Sequence, residues 1–284
     1  MDLSYFNSAI SPASPEIKLG YASITWGGND RQAIEDISAL GFPGIQLRSN
    51  LLKSIPDPTE VKGLLQKQHL TFVALSSGGV NIETPSESDE IAKHMVNAKY
   101  AQDAGCLYLQ VTDNKPKRTV TADDYKKLGR LITEIGKRSA DLGITVGYHN
   151  HMGSMGQAPE EVDRILDACD PRYAKLELDI AHYVQGGGDP VKAIHKYHDR
   201  LLFLHIKDVE DTQNQSAPDG KGYRFVELGR GRVDLPATFQ ALQKIKFHGW
   251  AVVELDGVPD PKRTPKECAE ISKKYLEEKM RLAL

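Results

Sequence analysis

The sequence predicts an α/β fold in a single domain, with eight strand–helix units closed into a parallel (β/α)8 barrel. Three observations predict it. Eight short apolar runs recur along the chain, segments of helical periodicity separate them, and no phosphate-binding glycine signature follows the first run. The alternation demands parallel strands joined by helices, and eight repeats favour closure over an open, doubly wound sheet.

The elements follow in order. The first run, residues 20–26 (GYASITW), leads into Gly-Gly-Asn-Asp, which is too short and too polar for a dinucleotide turn. Asn29 and Asp30 then start a helix over RQAIEDISAL. The second run is 44–48 (GIQLR), and Pro58 and Thr59 open the helix after it. Runs 71–77 (TFVALSS) and 107–112 (LYLQVT) are third and fourth, and Thr121 and Ala122 open DDYKKLGRLITEIGKRSADLG. The fifth run is 145–151 (TVGYHNH), with Pro159 opening EEVDRILDAC. The sixth is 175–182 (KLELDIAH). Gly186, Gly187 and Gly188 allow a tight turn there, and Asp189 and Pro190 begin another helix, a structural arrangement and not a phosphate cradle. The seventh is 202–208 (LFLHIKD). Residues 210–224 read as a long polar loop, either a lid or a solvated insertion. Pro236 opens ATFQALQKIK, and 250–257 (WAVVELDG) is the eighth run. Gly41, Gly105 and Gly143 stand where helices end in a left-handed cap before the next strand. Residues 1–18 read as an N-terminal extension and 19–284 as the barrel. The C-terminal ECAEISKKYLEEKMRLAL is an amphipathic helix that covers the barrel or adds a contact in a homo-oligomer.

Composition excludes several function classes. With 284 residues, 40% apolar and 26% charged, the chain suits one soluble α/β domain. A net charge of −3 argues against a nucleic-acid partner, which needs a concentrated basic face. No apolar run approaches the roughly 20 residues of a membrane span. The N-terminus lacks the basic and apolar segments of a secretory signal. Cys106, Cys169 and Cys268 are isolated and in no metal-type spacing, which fits a reduced, cytoplasmic chain.

A parallel barrel carries its chemistry at the C-terminal strand ends. Read there, the runs offer Thr25 and Trp26; Gln46 and Arg48; Ser76 and Ser77; Gln110 and Thr112; His149, Asn150 and His151; Glu177, Asp179 and His182; His205, Lys207 and Asp208; and Glu254 and Asp256. Nitrogen and carboxylate donors crowd the last four strands, which lie side by side in a barrel. One residue from each, His149, Asp179, His205 and Glu254, suffices to hold one divalent cation. Two imidazoles favour Mn2+, Co2+, Fe2+ or Zn2+ over Mg2+. By contrast, His195 and His198 in IHKYHDR read as solvated helix residues.

The stretches HNHMG, LELDIAHYVQGGGDPV, LFLHIKDV, GRGRVDLPATFQAL and WAVVELDG, with ITWGGND near the start, resemble the xylose-isomerase-like TIM-barrel superfamily of sugar isomerases and epimerases. Within it they are most similar to the inosose dehydratase branch. The similarity runs over nearly the whole chain and is densest over 145–257. The resemblance implies metal ligands Glu, Asp, His and Glu from strands five to eight. Asp179, His205 and Glu254 match, whereas His149 stands where many epimerases have Glu. That departure removes a carboxylate base from one face of the substrate, which favours a lyase over an epimerase.

The expected reaction is therefore loss of water from a keto-polyol or keto-sugar by enolate formation and β-elimination. Glu254 is the expected general base, and His151 or His182 the acid that assists the leaving hydroxyl. Trp26 is expected to present an apolar face to the substrate, and Gln110, Lys207 and Asp208 to contact it. Isomerisation or epimerisation through a cis-enediolate, and cleavage of a 3-keto-glycoside, use the same chemistry and stay open. A three-metal nuclease of the same superfamily and a non-catalytic sugar-binding barrel are the rivals. The first needs a basic groove, and the second needs no metal.

Overall fold

A computed structural model describes residues 17–212 and 222–284. Eight parallel strands close into a barrel in the order β1-β10-β7-β6-β5-β4-β3-β2. They are β1 (Ile17–Ala22), β2 (Gly44–Arg48), β3 (Thr71–Asn81), β4 (Tyr108–Asn114), β5 (Thr145–His149), β6 (Ala174–Asp179), β7 (Leu201–Ile206) and β10 (Gly249–Val253). Ten α-helices, α1 (Asp30–Ala39), α2 (Leu51–Ser54), α3 (Pro58–Lys67), α4 (Glu87–Ala104), α5 (Ala122–Ala140), α6 (Pro159–Ala168), α7 (Ile180–Gln185), α8 (Pro190–Lys196), α9 (Leu235–Lys244) and α10 (Pro265–Lys274), lie between or after the strands. No described helix is long and apolar enough to cross a membrane.

Local chemistry starts and stops the helices. Thr121 and Asp124 form a reciprocal capping box at α5, and the side chains of Asn29, Asp57 and Asp234 cap α1, α3 and α9. Gly41, Gly105 and Gly143 have φ of 86°, 78° and 73°, the left-handed conformation expected of them. The three cysteines are buried and free.

Three boundaries differ from the sequence reading. The first strand begins at Ile17 and ends at Ala22, and Ser23–Trp26 form a 3-10 turn, so Thr25 and Trp26 do not lie on the strand. Asp208–Asp211 (β8) and Tyr223–Val226 (β9) pair as an antiparallel hairpin, so the expected loop contains two strand arms. Residues 1–16 and 213–221 lie outside the described residues, and with them most of the expected extension and the tip of the expected lid.

The core has two parts. The larger lies between strands and helices. The smaller, with Ala22, Val73, Ala74, Phe203, Trp250 and Val252, fills the barrel. Gly44 makes room for it, because a Cβ there would sit 2.3 Å from Trp250. Phe203 and Val252 each precede a candidate ligand by two residues, so they share its side of the strand one layer lower. The apolar plug thus ends just where the polar mouth begins.

Candidate metal centre

His149 and Asp179 end β5 and β6, His205 is the last residue but one of β7, and Glu254 follows β10; these strands are consecutive around the barrel. Each offers a ligand atom, and these atoms all lie within 4.8 Å of one another, with all four side chains buried. Among the described residues, His149 Nδ1, Asp179 Oδ2 and His205 Nδ1 are buried without any hydrogen-bond partner. Buried polar atoms are rarely left unpaired, because desolvation then costs free energy that nothing returns. Three orphans aimed at one point fit a divalent cation with nitrogen and oxygen ligands.

Local packing fixes each ligand. Asn150 points to the side opposite His149 and clasps the Asp179 peptide: its Oδ1 accepts the Asp179 N–H (2.9 Å) and its Nδ2 donates to the Asp179 carbonyl (3.1 Å). Asp179 Oδ1 accepts the His182 N–H at 2.8 Å, capping α7, which leaves Oδ2 for the centre. Glu254 Oε1 lies 3.0 Å from Lys207 Nζ.

Electrostatics follow from burial. Desolvation, aided by His205 and His151, holds the pKa of His149 well below its ordinary value, so its imidazole is neutral with a lone pair to give. Burial works against protonating His205, but the carboxylates of Glu177 and Glu254 outweigh it and hold its pKa well above the ordinary value. The cluster demands positive charge at this point, which a divalent cation would supply.

Glu177, noted at the sequence level only as a polar residue of the sixth run, forms the floor. It is fully buried; its pKa is pushed up to about 7 by that burial, against the pull of His205. Its Oε1 lies 2.7 Å from His205 Nε2 and accepts from Gln110 Nε2 at 3.0 Å. Gln110 Oε1 accepts from Gln46 Nε2 (3.2 Å), and Gln46 Oε1 lies 2.8 Å from His205 Nε2. Gln110 is thus 5% exposed and bound on both sides, inside this network.

Two other residues expected to meet substrate are placed as follows. Asp208 is buried with both oxygens occupied: Oδ1 accepts from Val209 and Val233, and Oδ2 from Gly229 and Gly231. It pins the 229–233 loop and has no lone pair left for a substrate hydroxyl. Trp26 donates its indole N–H to Asp36 (2.9 Å) and packs edge-on to Tyr21, in the layer between barrel and helices.

Lys207 is fully buried. Its Nζ contacts Glu254, Asp256 and His182 Nε2 and lies 4.0 Å from the Phe225 ring centre. Burial would lower its pKa, but Asp256, Glu254 and Asp179 hold it above the ordinary value. His182 accepts the Met152 N–H at Nδ1 (3.1 Å), and its Nε2 lies 3.2 Å from Lys207 Nζ. His149, His151 and His182 also bring nitrogens within 4.8 Å of one another, but the Lys207 ammonium against His182 opposes a second cation there. His151 is half-buried; its Nδ1 lies 2.6 Å from the Met152 carbonyl, and its ring centre is 3.9 Å from that of His182.

Comparison with known proteins agrees with the barrel fold. A family model described as xylose isomerase-like TIM barrel matches residues 34–278. A protein of Lacticaseibacillus casei named inosose dehydratase is 29% identical, covering 94% of this chain and 98% of its own length. A Lactiplantibacillus plantarum protein of the same name is 26% identical over 94% of this chain and 98% of its own. Among solved structures, the IOLI protein with a binding zinc atom superposes with a TM-score of 0.79 at 20% identity, covering 92% of this chain and 97% of that one. The probable 3-DHS dehydratase AsbF of Bacillus anthracis gives 0.74 at 18% identity, covering 91% and 98%.

Proposed function

This chain belongs to the xylose isomerase-like TIM-barrel family of enzymes, and from that premise we propose that it is a divalent-metal-dependent lyase that removes water from a keto-polyol. The observation that carries the reading is the convergence of three unpartnered buried atoms, on His149, Asp179 and His205, beside Glu254. The dehydratase relatives and the zinc in the IOLI structure support it.

His149, Asp179, His205 and Glu254 would hold the cation. When bound, it supplies a Lewis acid for the ketone oxygen and so makes the neighbouring C–H acidic. Glu254 takes the α-proton, and the C–H electron pair becomes the new double bond as the β-hydroxyl leaves with a proton from the protein. Lys207 holds the Glu254 carboxylate in place and favours its ionised form. Of the two candidate acids, His151 is favoured. Its Nδ1 donates to a carbonyl, so Nε2 is the nitrogen that would carry the transferable proton in the imidazolium form, whereas both nitrogens of His182 lie against other groups. His182 then orients Lys207 and the 151–152 turn. Elimination is favoured over proton exchange between neighbouring carbons because strand five presents an imidazole, and no second carboxylate base, at the mouth.

The test is metal content by mass spectrometry for wild type, His149→Ala and Glu254→Ala, with turnover of 2-keto-myo-inositol followed by loss of water. About one equivalent of Mn, Co, Fe or Zn in wild type, lost with activity in both variants, supports the reading. A wild type that takes up no metal on reconstitution rules it out.

A further inference from the structure

The ligands occupy one arc of the barrel mouth. β1, β2 and β3 close the opposite arc, with β2 four strands from β6 in either direction. A cavity of about 440 Å³ opens there, lined by Arg48, Asn50, Ser76 and the glycines at 27, 28 and 78. Arg48 ends β2 two residues after Gln46, whose side chain reaches His205 inside the barrel. Arg48 therefore projects on the same side, one layer nearer the mouth.

Among the described residues its guanidinium makes no hydrogen bond. Among the described residues no carboxylate lies within ion-pair distance of Arg48. The neighbouring acid, Asp30, is 3% exposed and already bound by Ser23 (3.3 Å), Asn50 (2.9 Å) and Ser54 (3.4 Å). A second basic cavity, of about 380 Å³, makes the contrast. Its Arg224, Arg230 and Arg263 all pair with Glu210 or Glu227, so no free cation faces it. Around Arg48 the walls are main chain: Gly27 and Gly78 have φ of 62° and 84°, and a Cβ on either would meet nothing within 4 Å. The basin is thus an open, polar recess with one planar donor that is unpaired among the described residues.

We propose that this recess receives the end of the substrate remote from the ketone, and that Arg48 selects an anionic group there, a carboxylate or a phosphate. An arginine fork matches either group with two parallel N–H···O bonds, and among the described residues it has no ion pair to break first. The assignment of the recess to the substrate rests on the dehydratase reading; the anion selectivity does not.

The experiment measures binding of inorganic phosphate and of gluconate to the full-length protein by calorimetry. Wild type, Arg48→Gln and Arg48→Lys are compared, with Arg31→Gln, a surface residue paired with Glu60, as control. Turnover of neutral 2-keto-myo-inositol and of acidic 5-ketogluconate is measured on the same samples. The expected result is a tenfold or greater loss of anion binding in Arg48→Gln, partial retention in Arg48→Lys and none of this in Arg31→Gln. KM for 5-ketogluconate rises alone. The relative strength of phosphate and gluconate distinguishes the two anions. Anion binding unchanged in Arg48→Gln overturns the proposal, as does an equal KM rise for the neutral substrate. Arg48-dependent anion binding without turnover of either ketone leaves the anion site standing and counts against the dehydratase reading alone.

Discussion

His205 Nε2 lies 2.7 Å from Glu177 Oε1, and this contact decides which nitrogen of His205 faces the mouth. The Glu177 carboxylate accepts from Gln110, so Gln110 turns its oxygen to Gln46, and Gln46 turns its own oxygen to His205. Both groups at Nε2 are acceptors, so that nitrogen keeps its proton and Nδ1 is the one that would give a lone pair to a bound cation in exchange for its own proton. Three buried side chains thus set which nitrogen of His205 faces the centre.

Glu177→Ala is expected to weaken metal binding by roughly 10- to 100-fold while leaving the barrel folded, the usual effect of removing a group behind a histidine ligand. Metal titration of the folded variant, checked by circular dichroism, measures it. An affinity equal to wild type would show that Glu177 only fills space.

Asp208→Asn places an amide against backbone N–H groups that now donate to a carboxylate. The expected cost is about 2–4 kcal/mol, from lost charge-assisted bonds and a misplaced donor. Thermal unfolding should show it, with metal stoichiometry unchanged. Normal stability combined with a raised KM would restore Asp208 to the substrate.

His94 lies away from the centre, held by Ser77 Oγ at Nδ1 (2.7 Å) and near Glu90 at Nε2 (3.3 Å). Burial, with the Lys93 charge, pulls its pKa from the ordinary 6.5 to about 4 against the pull of Glu90. A depressed folded pKa means that the unfolded chain takes up the proton first. Stability is therefore complete above pH 6.5 and is lost as pH falls toward 4, by up to ~3 kcal/mol. Unfolding midpoints at pH 7 and pH 5 should differ less in His94→Gln than in wild type, and parallel losses would exclude His94 as the source.

Two helical glycines should respond to alanine with opposite signs. At Gly63 on α3 a Cβ meets nothing within 4 Å, so Gly63→Ala should gain roughly 0.5–1 kcal/mol. At Gly136 on α5 it would lie 2.1 Å from the Tyr173 carbonyl oxygen, so Gly136→Ala should lose about 1–3 kcal/mol. Melting temperatures decide both, and a gain at Gly136 would mean that the 170–174 segment yields easily.

The barrel and the four converging residues were legible in the sequence because strand alternation and the rule of strand ends are local. His149, Asp179, His205 and Glu254 each follow directly from them. Glu177 escaped because taking one residue per strand left no role for a second inward carboxylate a layer below Asp179. Trp26 was misplaced because the apolar run continues past Ala22 into a 3-10 turn, and hydrophobicity does not distinguish the two. The backbone partners of Asp208 were not legible, because apart from Val209 they are amides more than twenty residues on, which leave no side-chain pattern.

The two oxygens of Asp179 divide their labour, one starting α7 and the other pointing at the centre. Engineering for a different ion is therefore unevenly constrained. A swap at strand six must also find a new first turn for α7, so it will register as a folding defect before it registers as altered selectivity. Strand five is free of that burden, since the side chain of His149 makes no hydrogen bond to any described residue. Position 149 is the place where a library could exchange ligand chemistry without rebuilding the scaffold.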